Sequence, residues 1–182
     1  MRFSAACVLL LCLGSVARGQ QGGLVLSQTI PMPNVQGGFN HMSVDAKGQR
    51  LFAAAPTNKT LEVVDLKAGK PLRSVEGEKP AAVRYAPEFN QLYVARGQSL
   101  VIYDSATFAV IASVDLGTNL DELQYDARAK RLYVGCMTEG KTGVAVIAIP
   151  EGKLVGRIAL PAKPQELPWK RTAAASLPIC PR

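Results

Sequence analysis

The amino-acid sequence predicts an all-β protein, a partial β-propeller of about three four-stranded antiparallel blades forming an incomplete ring. Three observations predict it. A polar residue, a Leu and an aromatic recur in that order at Arg50-Leu51-Phe52, Gln91-Leu92-Tyr93 and Arg131-Leu132-Tyr133, at intervals of 41 and 40 residues. Each period holds four short apolar runs bounded by Gly, Asn, Asp, Lys and Pro, which is how strands joined by tight turns read in sequence. The 182 residues leave room for three such periods, whereas a closed ring takes about four to eight blades. No window carries a 3.6-residue apolar period.

The chain begins Met1-Arg2-Phe3-Ser4, continues with an apolar run from Ala5 to Leu13, and then shows small residues at Ala17 and Gly19. A basic start, a short apolar core and small residues at a cleavage point make 1–19 a signal peptide, so the expected location is exported, periplasmic or secreted. The run is about half the length a membrane-spanning helix needs, and no transmembrane segment is expected in the mature chain. Cys7 and Cys12 fall in this leader, leaving Cys136 and Cys180, too few for a disulfide framework. Cys136 sits in an apolar strand and reads as a small buried hydrophobe.

A net charge of +7 suggests an acidic partner until its distribution is read. Arg2, Arg18, Lys170, Arg171 and Arg182 lie outside Gln20–Glu166, whereas all 14 acidic residues lie inside it. The repeat region is therefore close to neutral. No basic patch interleaved with aromatics appears, and nucleic acid is not an expected partner.

Along 20–166 the elements follow in order. Residues 24–33 read as a leading strand, since Leu26 to Pro33 resembles the outer run Leu154 to Pro161. The blades follow at about 40–77, 78–117 and 118–161. Their inner strands begin near Met42, Ala82 and Glu122, and the Leu-aromatic strands come second. The third runs are Leu61 to Asp65, Leu100 to Asp104 and Val144 to Ala148, and a fourth run closes each period after a polar turn. Asp65 and Asp104 end strands before turns, where a carboxylate caps backbone N–H groups, so both are read as structural.

Asn90-Gln91-Leu92-Tyr93-Val94-Ala95, with Val101-Ile102-Tyr103-Asp104 and Ser113-Val114-Asp115-Leu116-Gly117, closely resembles the YVTN-type repeat of exported bacterial and archaeal propellers. Gly38 to Asp45 followed by Arg50-Leu51-Phe52 is similar to an opening blade of that group. The resemblance implies the fold and an exported setting, and no particular activity. It also implies that the leading strand completes a last blade, which the three periods do not include.

The tail 167–182 fits none of these patterns and contains the only Trp, Trp169. Read one base out of frame, its back-translation is compatible with a string that parallels Ser43 to Pro56. The expectation is a longer propeller cut by a frameshift near Leu167. Blades bury their faces only against neighbours, so such a product is expected to be marginal and to self-associate through unpaired blade edges.

In a propeller the residues just before each inner strand converge on one mouth of the central channel. Here those positions carry Asn40 and His41, Lys79 and Pro80, Asn119 with Asp121 and Glu122, and Gln165 with Glu166. Asn40, His41, Asn119, Asp121, Glu122 and Glu166 are the candidate ligand-binding residues. His41, Asp121 and Glu122 could hold a divalent cation through imidazole and carboxylate groups. No second His or Cys has the spacing of a zinc site. No Gly-x-Ser-x-Gly, Cys-x-x-Cys-His or phosphate loop is present. The expected function is a non-enzymatic binding or interaction module for a protein or small ligand. By position only, the mouth is similar to propellers of the gluconolactonase type, which implies a metal-dependent lactonase-like hydrolase as the alternative.

Overall fold

A computed structural model describes residues 25–164, and it contains three antiparallel sheets of four strands each. The first is β1 (Met42–Asp45), β2 (Arg50–Ala55), β3 (Thr60–Asp65) and β4 (Lys70–Glu76). The second is β5 (Pro80–Ala86), β6 (Gln91–Arg96), β7 (Ser99–Asp104) and β8 (Val110–Asp115). The third is β9 (Leu120–Asp126), β10 (Arg131–Cys136), β11 (Gly143–Ala148) and β12 (Lys153–Ala159). Every sheet is a meander in chain order, the arrangement of a propeller blade. Among the described residues there is no helix, and so none long and apolar enough to cross a membrane. The segment expected as a signal peptide and the tail lie outside the described residues.

The repeat works because successive side chains in a strand point to opposite faces. Leu92 points back toward blade 1, with Val94 and Tyr103, and packs with Phe52, Leu61 and Val63. Tyr93 points forward, with Ala95 and Ile102, and packs with Leu123, Leu132, Val134 and Ile147 of blade 3. The motif thus places a Leu against the preceding blade and an aromatic against the following one. Second and third strands are the most buried, while the fourth strands β4, β8 and β12 are largely exposed.

Turn chemistry repeats with the same period. Gln49, Asn90 and Lys130, each the residue before a second strand, lie in the left-handed region with φ of 53°, 53° and 51°. Asp45, Asp65, Asp104 and Asp126 cap the turns after them, each accepting from a backbone N–H three residues on at 2.7–3.1 Å. Asp65 and Asp104 thus serve as turn caps. Before the fourth strands of blades 1 and 3 the left-handed position is glycine, Gly69 and Gly152. In blade 2 it is Phe108, with φ of 62°. A bulky residue there is strained. Its ring is held by blade 1, edge-on to Phe52 at 6.5 Å and under the Arg73 guanidinium at 5.3 Å.

Polar ties cross the same boundaries. Arg50 donates to Asp45 Oδ2 through Nη2 (2.8 Å) and Nε (3.1 Å), and through Nη1 to Ser105 O of blade 2 (2.6 Å). Tyr85 N donates to Ser43 Oγ at 3.0 Å. Arg84 reaches from blade 2 to Leu123 O of blade 3, at 3.0 and 2.7 Å.

Residues 25–33, expected as a leading strand, form no strand. The three sheets end at β4, β8 and β12, and this segment pairs with none of those edges. It runs instead beside blade 1: the Gln28 amide abuts Gly69, and Gln36 N donates to Asn58 Oδ1 at 3.2 Å. Val25 and Leu26 remain exposed.

Two outcomes follow. Leu92→Ala, at a fully buried blade boundary, lowers stability by about 2–5 kcal/mol in urea melts, whereas Ile111→Ala on exposed β8 changes it by about 0.5 kcal/mol or less. Burial pushes the Asp45 carboxyl up, but hydrogen bonds from Gly48 N and Arg50 outweigh it and hold it below the usual carboxylate range. A depressed folded value means that Asp45 stabilises fully above its ordinary value and loses that contribution as pH falls through the folded one. Asp45→Asn is therefore less stable than the parent at pH 7 by about 1–3 kcal/mol, and the gap between their denaturation midpoints closes below about pH 4.

Candidate functional site

Because each blade is a four-strand meander, its first and third turns lie at one end of the array. The second turns and the links between blades lie at the other, and the expected mouth residues belong to that second end.

His41 precedes β1 in blade 1 and Asp121 is the second residue of β9 in blade 3. The blade between them does not keep them apart: His41 Nε2 stands 3.7 Å from Asp121 Oδ1. Both side chains are about a third exposed, 37% and 36%, so the pair faces solvent at the rim of the inner strands. His41 is held by the β1–β2 ladder, with Ala54 N donating to His41 O at 3.1 Å and Asn40 N donating to Ala54 O at 2.9 Å. Asn40 and Phe39, next to it, are exposed.

Asp121 is placed by an irregularity. Leu120 pairs with Cys136 and Leu123 with Val134, so Asp121 and Glu122 together oppose the single residue Gly135. Such a bulge re-aims side chains, and here it separates the two carboxylates. Glu122 is buried, and its Oε1 accepts from Gln124 Nε2 at 2.9 Å within β9. Its charge also bears on Arg84: burial lowers the Arg84 guanidinium's proton affinity and Glu122 partly restores it. Glu122 thus lies buried beside Gln124, close enough to Arg84 for its charge to be felt. Among the described residues, no three His, Cys, Asp or Glu side chains gather as a metal-ligating group. The expected set of His41, Asp121 and Glu122 therefore comes together in part, as His41 with Asp121.

Asn119 has an exposed side chain, and its backbone is fixed by Asn119 N donating to Thr138 Oγ1 (2.9 Å) and Met137 N donating to Asn119 O (2.8 Å). Lys79 is exposed between the His41 and Asn119 positions. Glu166 and Gln165 lie outside the described residues.

One positioning residue was not among those expected. Arg96 is buried where the other blades carry Ala55 and Cys136. Its Nη1 donates to Glu78 O and its Nη2 to Val75 O at 3.1 Å, which braces the link that carries Lys79. Gly77 in that link has φ of 152°, and a Cβ there would stand 3.0 Å from Arg96 Nη1. The signal was available: a cation at an otherwise small, apolar repeat position.

Two clefts open at this end. One, of about 480 Å³, is lined by Asn34, Asn58, Lys59, Thr60, Ser74 and Glu76. Beside it Glu62, buried where blades 2 and 3 have Val101 and Ala145, accepts from the Thr60 hydroxyl and from Ser74 Oγ at 2.7 Å. The other, of about 450 Å³, lies by Cys136, Lys141 and Arg157. Cys136 is a free, buried thiol; burial pushes its pKa up, so it is a poor nucleophile.

No protein-family model and no curated protein matches the chain. Solved structures do. A chain of hydrazine synthase from Kuenenia stuttgartiensis superposes with a TM-score of 0.60 at 18% identity, covering 65% of this chain and 36% of that one. A chain of a mitotic checkpoint complex gives 0.62 at 16%, covering 71% and 44%. The dihydro-heme d1 dehydrogenase NirN, in complex with DHE, gives 0.57 at 17%, covering 68% and 28%. These are propeller-type folds, and the likeness establishes a β-propeller protein of which this chain spans less than half the length of each neighbour.

The exposed pair contributes little to folding and the buried brace contributes much. His41→Ala and Asp121→Asn each change stability by about 0.5 kcal/mol or less. Arg96→Ala, which strips two carbonyls of their donors and leaves a cavity, costs about 2–4 kcal/mol. Chemical denaturation of the three variants separates these effects.

Proposed function

We propose that the chain is an exported module of YVTN-type propeller repeats that binds a polar group, carried by a protein or a small ligand, at its channel mouth. In this reading its three blades derive from a longer propeller cut near Leu167. The observation that carries the binding reading is the approach of His41 to Asp121 across an intervening blade. An imidazole and a carboxylate 80 residues apart in sequence, each a third exposed, offer a donor and an acceptor side by side without being needed for the core. Exposed Asn40, Lys79 and Asn119 extend this polar rim, and exposed Phe39 adds an apolar contact. Similarity to a chain of a mitotic checkpoint complex supports a propeller used in protein assembly.

Calcium, acetate, glycine and glucose serve as probes of the mouth by NMR titration. At least one is expected to give saturable amide shifts centred on His41, Lys79 and Asp121. His41→Ala or Asp121→Asn is then expected to weaken that probe about tenfold or more, a loss of about 1.4 kcal/mol. Shifts absent for every probe, or unchanged by both substitutions, remove the reading.

A further inference from the structure

Blade 1 departs from its counterparts at one buried position. In β3, Leu61 and Val63 pack with Leu92 and Val94 of blade 2, so the alternate residues Thr60 and Glu62 face the other way. Val101 and Ala145 hold the place of Glu62 in blades 2 and 3, opposite Val94 and Val134 as Glu62 is opposite Ala53. A small apolar side chain is thus enough for the fold there. Glu62 is 1% exposed, and the ion pairs among the described residues, His41 with Asp121 and Arg50 with Asp45, do not include it. A buried charge without a cation costs folding free energy that an apolar residue would not.

What this charge does is order the groups around it. Thr60 Oγ1 donates to Glu62 Oε1, and Ser74 Oγ donates to Oε2 at 2.7 Å. Asn58 Nδ2 donates to Thr60 Oγ1 at 2.8 Å, and Asn58 is held in turn by Gln36 N, which donates to its Oδ1 at 3.2 Å. A carboxylate only accepts, so both hydroxyl protons are turned inward onto it. The hydroxyls are left with lone pairs to offer outward. They open on the cleft of about 480 Å³, where Asn34 and Glu76 also stand. Lys59 is the one cation in that lining among the described residues, set against two carboxylates, Glu76 in the lining and Glu62 beneath it. The cleft therefore presents hydrogen-bond acceptors and an excess of negative charge.

We propose that this cleft binds the primary ammonium group of a small organic molecule, which donates to Ser74 Oγ, Thr60 Oγ1 and the Glu76 carboxylate while the buried charge of Glu62 balances its own. An ammonium carries three donors and no acceptor, which matches a set of acceptor atoms. A water molecule takes up about 30 Å³, so the cleft has room for an organic body behind the ammonium. No three His, Cys, Asp or Glu side chains gather here among the described residues, and the hydroxyl protons stand between Glu62 and the cleft, an arrangement that suits a hydrogen-bond donor better than a metal ion. The site shares no residue with the pair His41 and Asp121, and the inference is independent of binding at the mouth.

NMR titration of the full chain tests it with methylammonium and ethanolamine, against ethylene glycol, acetate and calcium as neutral, anionic and metal probes. Both amines are expected to give saturable shifts centred on the amides of Thr60, Glu62 and Ser74, and the other three probes weaker shifts there or none. Glu62→Val, which carries over the side chain that blade 2 uses, is expected to keep its strand content by circular dichroism and to weaken both amines about tenfold or more. Ser74→Ala, at an exposed position, is expected to weaken them about threefold or more, and decides the matter should Glu62→Val fail to fold. No saturable shift at these amides with either amine, an equal or tighter response there to ethylene glycol, acetate or calcium, or affinities left unchanged by the substitutions overturns the proposal.

Discussion

Everything in this chain depends on a constraint of the β-strand: neighbouring side chains face opposite ways, so an apolar strand in the middle of a blade must be covered twice. Leu92 and Tyr93 show the solution, one filling the boundary behind and the other the boundary ahead. No blade here has a core of its own. Stability belongs to the boundaries between blades, which Arg50 and Arg84 tie with hydrogen bonds to backbone carbonyls across the gap.

The site inherits this organisation. His41 and Asp121 meet from blades that share no sheet, so their spacing is set by the packing of blade 2 between them. Arg96, far from exposed chemistry, holds the link on which Lys79 rides, and the bulge opposite Gly135 decides which of two adjacent carboxylates reaches the rim. The spacing of side chains at this end of the array is therefore a property of stacked sheets more than of any one loop.

The fold was legible because its signal is redundant: three copies of Leu-aromatic, the aspartates Asp65 and Asp104 before turns and four apolar runs per period point to the same answer. His41 and Asp121 were legible for a related reason, since the period itself locates the residues before each inner strand. The burial of Glu122 was not legible because alternation assumes regular pairing, and one extra residue in β9 turns its carboxylate toward Gln124. Residues 25–33 read as a strand because apolar pattern records a capacity to pair and not the presence of a partner. Arg96 escaped notice because a buried cation inside an apolar run carries no motif, only a departure from its counterparts.

Phe108 bears on how such an array can change over generations. Glycine at the matching turn in blades 1 and 3 fits wherever the blade is placed, since it asks nothing of its surroundings. Phe108 is tolerable only beside Phe52 and Arg73, which lie in the preceding blade. Duplicated or shuffled to another place in the order, blade 2 would keep its conformational strain and lose what compensates it. Blades that look interchangeable by period have become individuals, each adapted to a particular neighbour.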